Sequence, residues 1–223
     1  MRFPVLFINF KTYAESTGTA AVALASLAKE VSSRKNCNII IVAQPTDIQM
    51  ISGLGLPVFA QHTDPVSYGG NTGSILPEAV KQAGAQGTVL NHAERKLTDD
   101  VLEKSISRCR AAGLLVMACA ETTERAVRIA SFSHKPDLIA VEPPELIGGD
   151  ISVSTARPEI ISDTVKAVHA IAKIPLITGA GIKNGKDVHK ALELGCKGVF
   201  VASGIIKSPD RKKAIEDIVS GFK

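Results

Sequence analysis

The sequence predicts an α/β protein, a single closed (β/α)8 barrel over residues 1–223. Eight short apolar runs alternate with amphipathic stretches from end to end. Most are continuously apolar where a half-exposed strand would alternate, as parallel strands buried on both faces require. A run recurs about every 28 residues, the length of a strand plus a helix, with no linker or shift in composition. The competing open sheet with a dinucleotide site lacks its glycine-rich first turn, because the first run leads into Asn9-Phe10-Lys11-Thr12.

In order, the first run is Val5 to Ile8, followed by a helix from Thr19 to Ser33 in which Leu24, Leu27, Ala28 and Val31 share a face. The next runs are Ile39 to Ala43, Val58 to Ala60 and Thr88 to Leu90. The connections after the second, third and sixth runs carry weaker helical signal. Asp99 to Ala112 is a helix with Thr98 as N-cap, acids in its first turn and Gly113 beyond its end. Leu114 to Ala118 and Leu138 to Val141 follow. A helix is expected from about Ala156 to Ile171, with Pro158 tolerated in its first turn. Leu176 to Thr178, a helix from Asp187 to Leu194, the run Gly198 to Ala202 and a helix from Asp210 to Val219 complete the chain.

A core of this size buries roughly 70–75% of the unfolded surface, so no disulfide or metal staple is needed. The cysteines, at 37, 109, 119 and 196, form no CxxC pair, which points to reduced thiols in a cytoplasmic protein. The N-terminal apolar stretch is too short for a signal peptide, and no run approaches the roughly 20 residues of a membrane span. Net charge is +4, from 26 basic and 22 acidic residues, and it is dispersed. The densest basic cluster, Arg211-Lys212-Lys213, is followed by Glu216 and Asp217 and reads as a solvated helix face. Neither nucleic acid nor membrane is an expected partner; a mild positive balance suits a small anionic substrate.

Catalytic groups of such barrels come from the C-terminal ends of different strands. Those ends carry Asn9 and Lys11 on the first strand, and Asn91, His92 and Glu94 on the fourth. Cys119 and Glu121 lie near the end of the fifth, and Glu142 ends the sixth. The last two strands end in Gly179-Ala180-Gly181 and Ala202-Ser203-Gly204, small-residue turns that let backbone N–H groups approach a phosphate. Tight turns after strands favour small residues in any case, and a strand-end lysine or glutamate also serves as a solvated charge. After Glu142, Pro143-Pro144 and Gly148-Gly149 read either as the two hinges of a lid or as an ordinary loop. His134, His169 and His189 are expected to be exposed, and His62 to be structural or interfacial. No histidine pair offers a metal site.

Asn9-Phe10-Lys11, Asn91-His92-Ala93-Glu94-Arg95 and Ala140-Val141-Glu142-Pro143-Pro144-Glu145-Leu146-Ile147-Gly148 together resemble the triosephosphate isomerase family in its short archaeal form. The resemblance runs the length of the chain. It implies a TIM barrel that interconverts dihydroxyacetone phosphate and D-glyceraldehyde 3-phosphate in glycolysis and gluconeogenesis, without cofactor or metal. It implies Glu142 as general base, His92 as a neutral electrophile and Lys11 as the cation stabilising the enediolate. Asn9 would line the same site, and the phosphate would lie against Ile147, Gly148, Gly181, Ala202 and Ser203. Glu94 would anchor the region of His92, Cys119 would pack behind Glu142, and the assembly would be a homotetramer. Ala93 stands where the family usually has serine, and Gly148-Gly149-Asp150 where its lid typically continues Gly-Thr-Gly. The alternatives are another phosphate-binding barrel isomerase, or a non-catalytic paralogue that binds a phosphorylated ligand.

Overall fold

The computed structural model describes residues 1–142, 158–179 and 181–223. Eight parallel strands close into a barrel in sequence order. They are β1 Val5–Asn9, β2 Asn38–Ala43, β3 Val58–Ala60, β4 Gly87–Leu90, β5 Leu115–Ala120, β6 Leu138–Val141, β7 Leu176–Thr178 and β8 Gly198–Val201. The last strand returns to the first, with pairs from Val5↔Gly198 to Ile8↔Val201. β5 reaches two residues past its expected end, which places Cys119 within the strand.

The helices are α1 Thr19–Lys35, α2 Ile48–Ser52, α3 Pro77–Gln82, α4 Asp99–Ala111 and α5 Thr123–Ala130, followed by α6 Pro158–Ile171, α7 Gly185–Glu193, α8 Ser203–Ile206 and α9 Arg211–Ser220. The weak signals after β2 and β3 have a simple cause, since α2 and α3 are only five and six residues long. α7 starts two residues before its expected boundary because the Asn184 side chain accepts the Lys186 and Asp187 N–H groups, both at 3.0 Å. Asn184-Gly185 reads as a turn, yet it acts as a cap. Thr98 occupies the N-cap of α4 without a side-chain cap bond. Asp99 next to it binds Arg125 and Arg128 of α5 instead of its own helix end. His134 and His189 are exposed as expected, whereas His169 is half-buried, its Nε2 3.2 Å from the Ile174 carbonyl.

Successive strand residues point to opposite faces, and that alternation splits the core in two. Leu6, Ile8, Ile39 and Ile41 face outward under the helices, where Leu24, Ala28 and Val31 of α1 join them. Val5, Phe7, Ile40, Val42, Phe59, Leu138, Ala140 and Phe200 fill the barrel interior. Phe7 is central there, edge-on to Phe59 at 5.4 Å and to Phe200 at 6.4 Å between ring centroids. Phe7→Ala would cost about 3–5 kcal/mol. The same parity carries function to the barrel mouth. Val5-Phe7-Asn9 and Leu138-Ala140-Glu142 each end an inward-facing column in a polar group, above a dry floor.

Candidate active site

Asn9 is buried at the end of β1, and its Oδ1 accepts the Lys11 N–H at 3.1 Å. This tight Asx turn places Lys11 at φ 47°, a left-handed conformation uncommon for lysine. Gln61, just past β3, donates from Nε2 to the Lys11 carbonyl at 2.8 Å and closes the other side of that peptide. The Lys11 ammonium meets Glu94 Oε1 at 2.8 Å. Gln61 was not among the sequence-predicted residues. The only available signal was an amide at a strand tip.

Asn91, at φ 59°, turns the chain out of β4. Its amide donates to the Cys119 carbonyl at 2.8 Å, and its Oδ1 accepts the Leu97 N–H at 2.8 Å. His92 is thereby held with its ring edge-on to Phe200, 6.1 Å between centroids. The Glu94 N–H donates to His92 Nδ1 at 3.1 Å, so Nδ1 is an acceptor and the proton of the neutral ring sits on Nε2. Burial lowers the His92 pKa, Lys11 lowers it further, and Glu94 opposes them more weakly. A neutral imidazole with its N–H aimed into the cavity is the result.

Glu142 continues the β6 ladder, its N–H bonded to the Ala120 carbonyl at 3.0 Å. The carboxylate is buried, with Oε2 lacking a hydrogen-bond partner among the described residues and lying 3.8 Å from His92 Nε2. Oε1 lies against Gly179, where an added Cβ would come within 2.8 Å of it and within 2.2 Å of the Phe200 carbonyl. Glycine at 179 is therefore required first by the backbone of β8 and also leaves room for the carboxylate. Burial pushes the Glu142 pKa up to about 7, although the Lys11 ammonium and the neighbouring Cys119 thiol pull it down. A carboxylate with a free lone pair and basicity near neutrality can take a proton from carbon.

Asn9, Lys11, His92, Glu142, Gly181, Ala202 and Ser203 line one cavity of about 510 Å³. Every predicted site residue that the structure describes therefore meets at one mouth. Ile147 and Gly148, with the rest of the expected lid and Ala180, lie outside the described residues.

A closed parallel barrel whose mouth joins a buried carboxylate, a neutral imidazole and a lysine to turns open to an anion defines a proton-transfer enzyme of the (β/α)8 class. The family model for triosephosphate isomerase matches residues 4–220, and the chain belongs to the triosephosphate isomerase family. Its reaction is the aldose–ketose isomerisation of triose phosphates, a step of glycolysis.

The triosephosphate isomerase of Methanothermus fervidus is 42% identical over 219 residues, covering 97% of this chain and 98% of the relative. That of Methanobacterium bryantii is 43% identical, covering 97% and 96%. The enzyme of Saccharolobus solfataricus is 42% identical, covering 99% and 96%. A solved triosephosphate isomerase from Bartonella henselae superposes with a TM-score of 0.72 over 98% of this chain and all of its own, at 18% identity, and bears on the fold alone. Among the described residues, no helix is long and apolar enough to cross a membrane.

Proposed function

We propose that Glu142, His92 and Lys11 divide the isomerisation between them. Glu142 takes a proton from one of the two adjacent substrate carbons, and the electron pair of that C–H bond shifts onto the carbonyl oxygen as an enediolate. His92 Nε2–H donates a hydrogen bond to that oxygen, and the Lys11 ammonium faces the developing charge. His92 Nε2–H then gives its proton to the enediolate oxygen and takes the hydroxyl proton of the adjacent carbon in return, and as the new carbonyl closes Glu142 returns its proton to the neighbouring carbon. Asn9 lines the same end of the site, and the backbone of Gly181, Ala202 and Ser203 takes the phosphate. The observation that carries this reading is the partner-free Glu142 Oε2, 3.8 Å from His92 Nε2 at the wall of the cavity that Lys11 also lines.

We read residues 1–223 as one catalytic domain working without cofactor in the cytoplasm as a homotetramer, the assembly resting on the archaeal resemblance. A coupled assay with dihydroxyacetone phosphate should show turnover that Glu142→Gln removes. Turnover in the wild type with undiminished activity in that variant overturns the assignment of the base. Sedimentation velocity checks the assembly, and a lone monomer overturns it.

A further inference from the structure

Lys11 sits in a loop, residues 10–18, whose two flanks are secured differently. Toward β2 and β3, Gln61 holds the Lys11 carbonyl, Gln44 Nε2 donates to Thr17 Oγ1 at 3.2 Å, and Asp47 Oδ2 accepts the Gly18 N–H at 3.1 Å. Within the loop, buried Ser16 donates to the Phe10 carbonyl at 2.6 Å. The other flank faces the barrel seam, where the β1–β8 ladder ends at Ile8↔Val201. There Lys207 reaches across the seam. Its Nζ meets Glu15 Oε1 and Oε2 at 3.0 and 3.2 Å and stands 4.6 Å from the centroid of the Tyr13 ring.

Lys207 is fixed on its own side as well. It caps α8 by donating its N–H to the Ser203 carbonyl at 2.9 Å, and Arg211 Nε binds the Ile206 carbonyl at 2.9 Å. Tyr13 and Lys207 line the same cavity as Lys11, His92, Glu142 and Ser203.

We propose that Lys207, Glu15 and Tyr13 form a positioning latch that ties the Lys11 loop to the Ala202–Ser203 turn, fixing the spacing between the cation and the phosphate contacts. The proposal rests on the residue roles given above. An ion pair as exposed as this one, at 50% and 32% for its side chains, adds little to folding stability, so its role is geometric. Displacement of a reacting group by about 1 Å is enough to slow a reaction severely. The rival role for Lys207 is a cation that attracts the substrate phosphate directly, with Glu15 weakening it.

The two roles predict opposite signs for Glu15→Gln. For the latch, Glu15→Gln and Lys207→Met each lower kcat/KM about three- to tenfold. The loss is shared between kcat and KM, the double variant is no worse than either single one, and the melting temperature hardly moves. The reversed pair, Glu15→Lys with Lys207→Glu, recovers part of the activity. A Glu15→Gln variant with lower KM, or a reversed pair worse than both of its single changes, overturns the latch in favour of direct attraction. Hydrogen exchange supplies a readout independent of turnover: amides in residues 12–18 should exchange faster in Lys207→Met than in wild type. Unchanged exchange overturns the latch even in a fully active enzyme. Faster exchange in Lys207→Met, together with a wild type that isomerises no triose phosphate, upholds the latch and sinks the residue roles.

Discussion

The two walls of the cavity are built on opposite principles. On the β4–β6 side, His92 and Glu142 are each only 8% exposed, and Cys119 lies beneath them at 3%. On the β8–β1 side, Ser203 and Lys207 are exposed and Tyr13 is half-buried. Proton transfer to carbon needs a base whose strength is not spent on water, and burial is what raises the Glu142 pKa. Phosphate binding tolerates water, because backbone donors and nearby cations keep their attraction at a wet surface. The comparison also separates two carboxylates that compete for one cation. Exposed Glu94 holds Lys11 at 2.8 Å, and Glu142 Oε2 has no hydrogen-bond partner among the described residues. In the proposed division of roles, the dry carboxylate does the chemistry and the wet one does positioning.

The largest expected effect comes from the dry wall. Glu142→Gln keeps shape and burial but removes the base, and kcat should fall by three orders of magnitude or more, roughly the upper range for general-base catalysis. Its stability should move the other way with pH. In the wild type, the folded-state pKa of about 7 lies above the ordinary glutamate value of 4.5. The folded protein therefore binds this proton more tightly than the unfolded chain does. The stability it contributes is complete below pH 4.5 and is lost as pH rises toward 7, by on the order of 3 kcal/mol. Unfolding measured at pH 4.5 and pH 8 should show Glu142→Gln gaining on wild type at the higher pH. A constant difference would mean that Glu142 is not a desolvated base.

On the wet side, Lys11→Met should lower kcat/KM by about 100-fold or more, the scale for removing one stabiliser of developing charge. Steady-state kinetics should show both kcat and KM damaged. A variant with normal kcat would place Lys11 outside the transition state. Gln61→Ala acts one step further away. It leaves the Lys11 carbonyl without its donor and should cost about tenfold in kcat/KM, with the ammonium itself intact. Wild-type kinetics in Gln61→Ala would mean that Asn9 alone sets the Lys11 backbone.

These two lysine contacts show what the sequence could carry. Strands, barrel and the Asn9, Lys11, His92 and Glu142 set were legible because continuous apolar runs and strand-end position are local properties of the chain. Gln61, Tyr13 and Lys207 were not, because their roles exist only where the loop after β1 meets the tip of β3 on one flank and the turn after β8 on the other. α8 was hidden for a related reason: four residues, Ser203-Gly204-Ile205-Ile206, hold barely one helical turn and give no periodicity. The α7 boundary was lost to a cap that looks like a turn. Local chemistry announces itself in sequence, and support from across the barrel does not.

The smallest effect probes the floor of the dry wall. Burial and the neighbouring Glu142 raise the Cys119 pKa well above that of an ordinary thiol, so it remains S–H, a potential donor beside the carboxylate. That thiol favours ionised Glu142 and holds its pKa below what burial alone would give. In Cys119→Ala the donor is gone, and Glu142 must become harder to ionise. The acid limb of kcat/KM, where activity rises with pH as the base loses its proton, should then move to higher pH. Above that limb the variant should recover to within about threefold of wild type, since the groups that touch substrate remain. The small cavity left beneath Glu142 should cost on the order of 1 kcal/mol. A limb that stays put, or moves to lower pH, would mean that the thiol only fills space and that desolvation alone tunes Glu142.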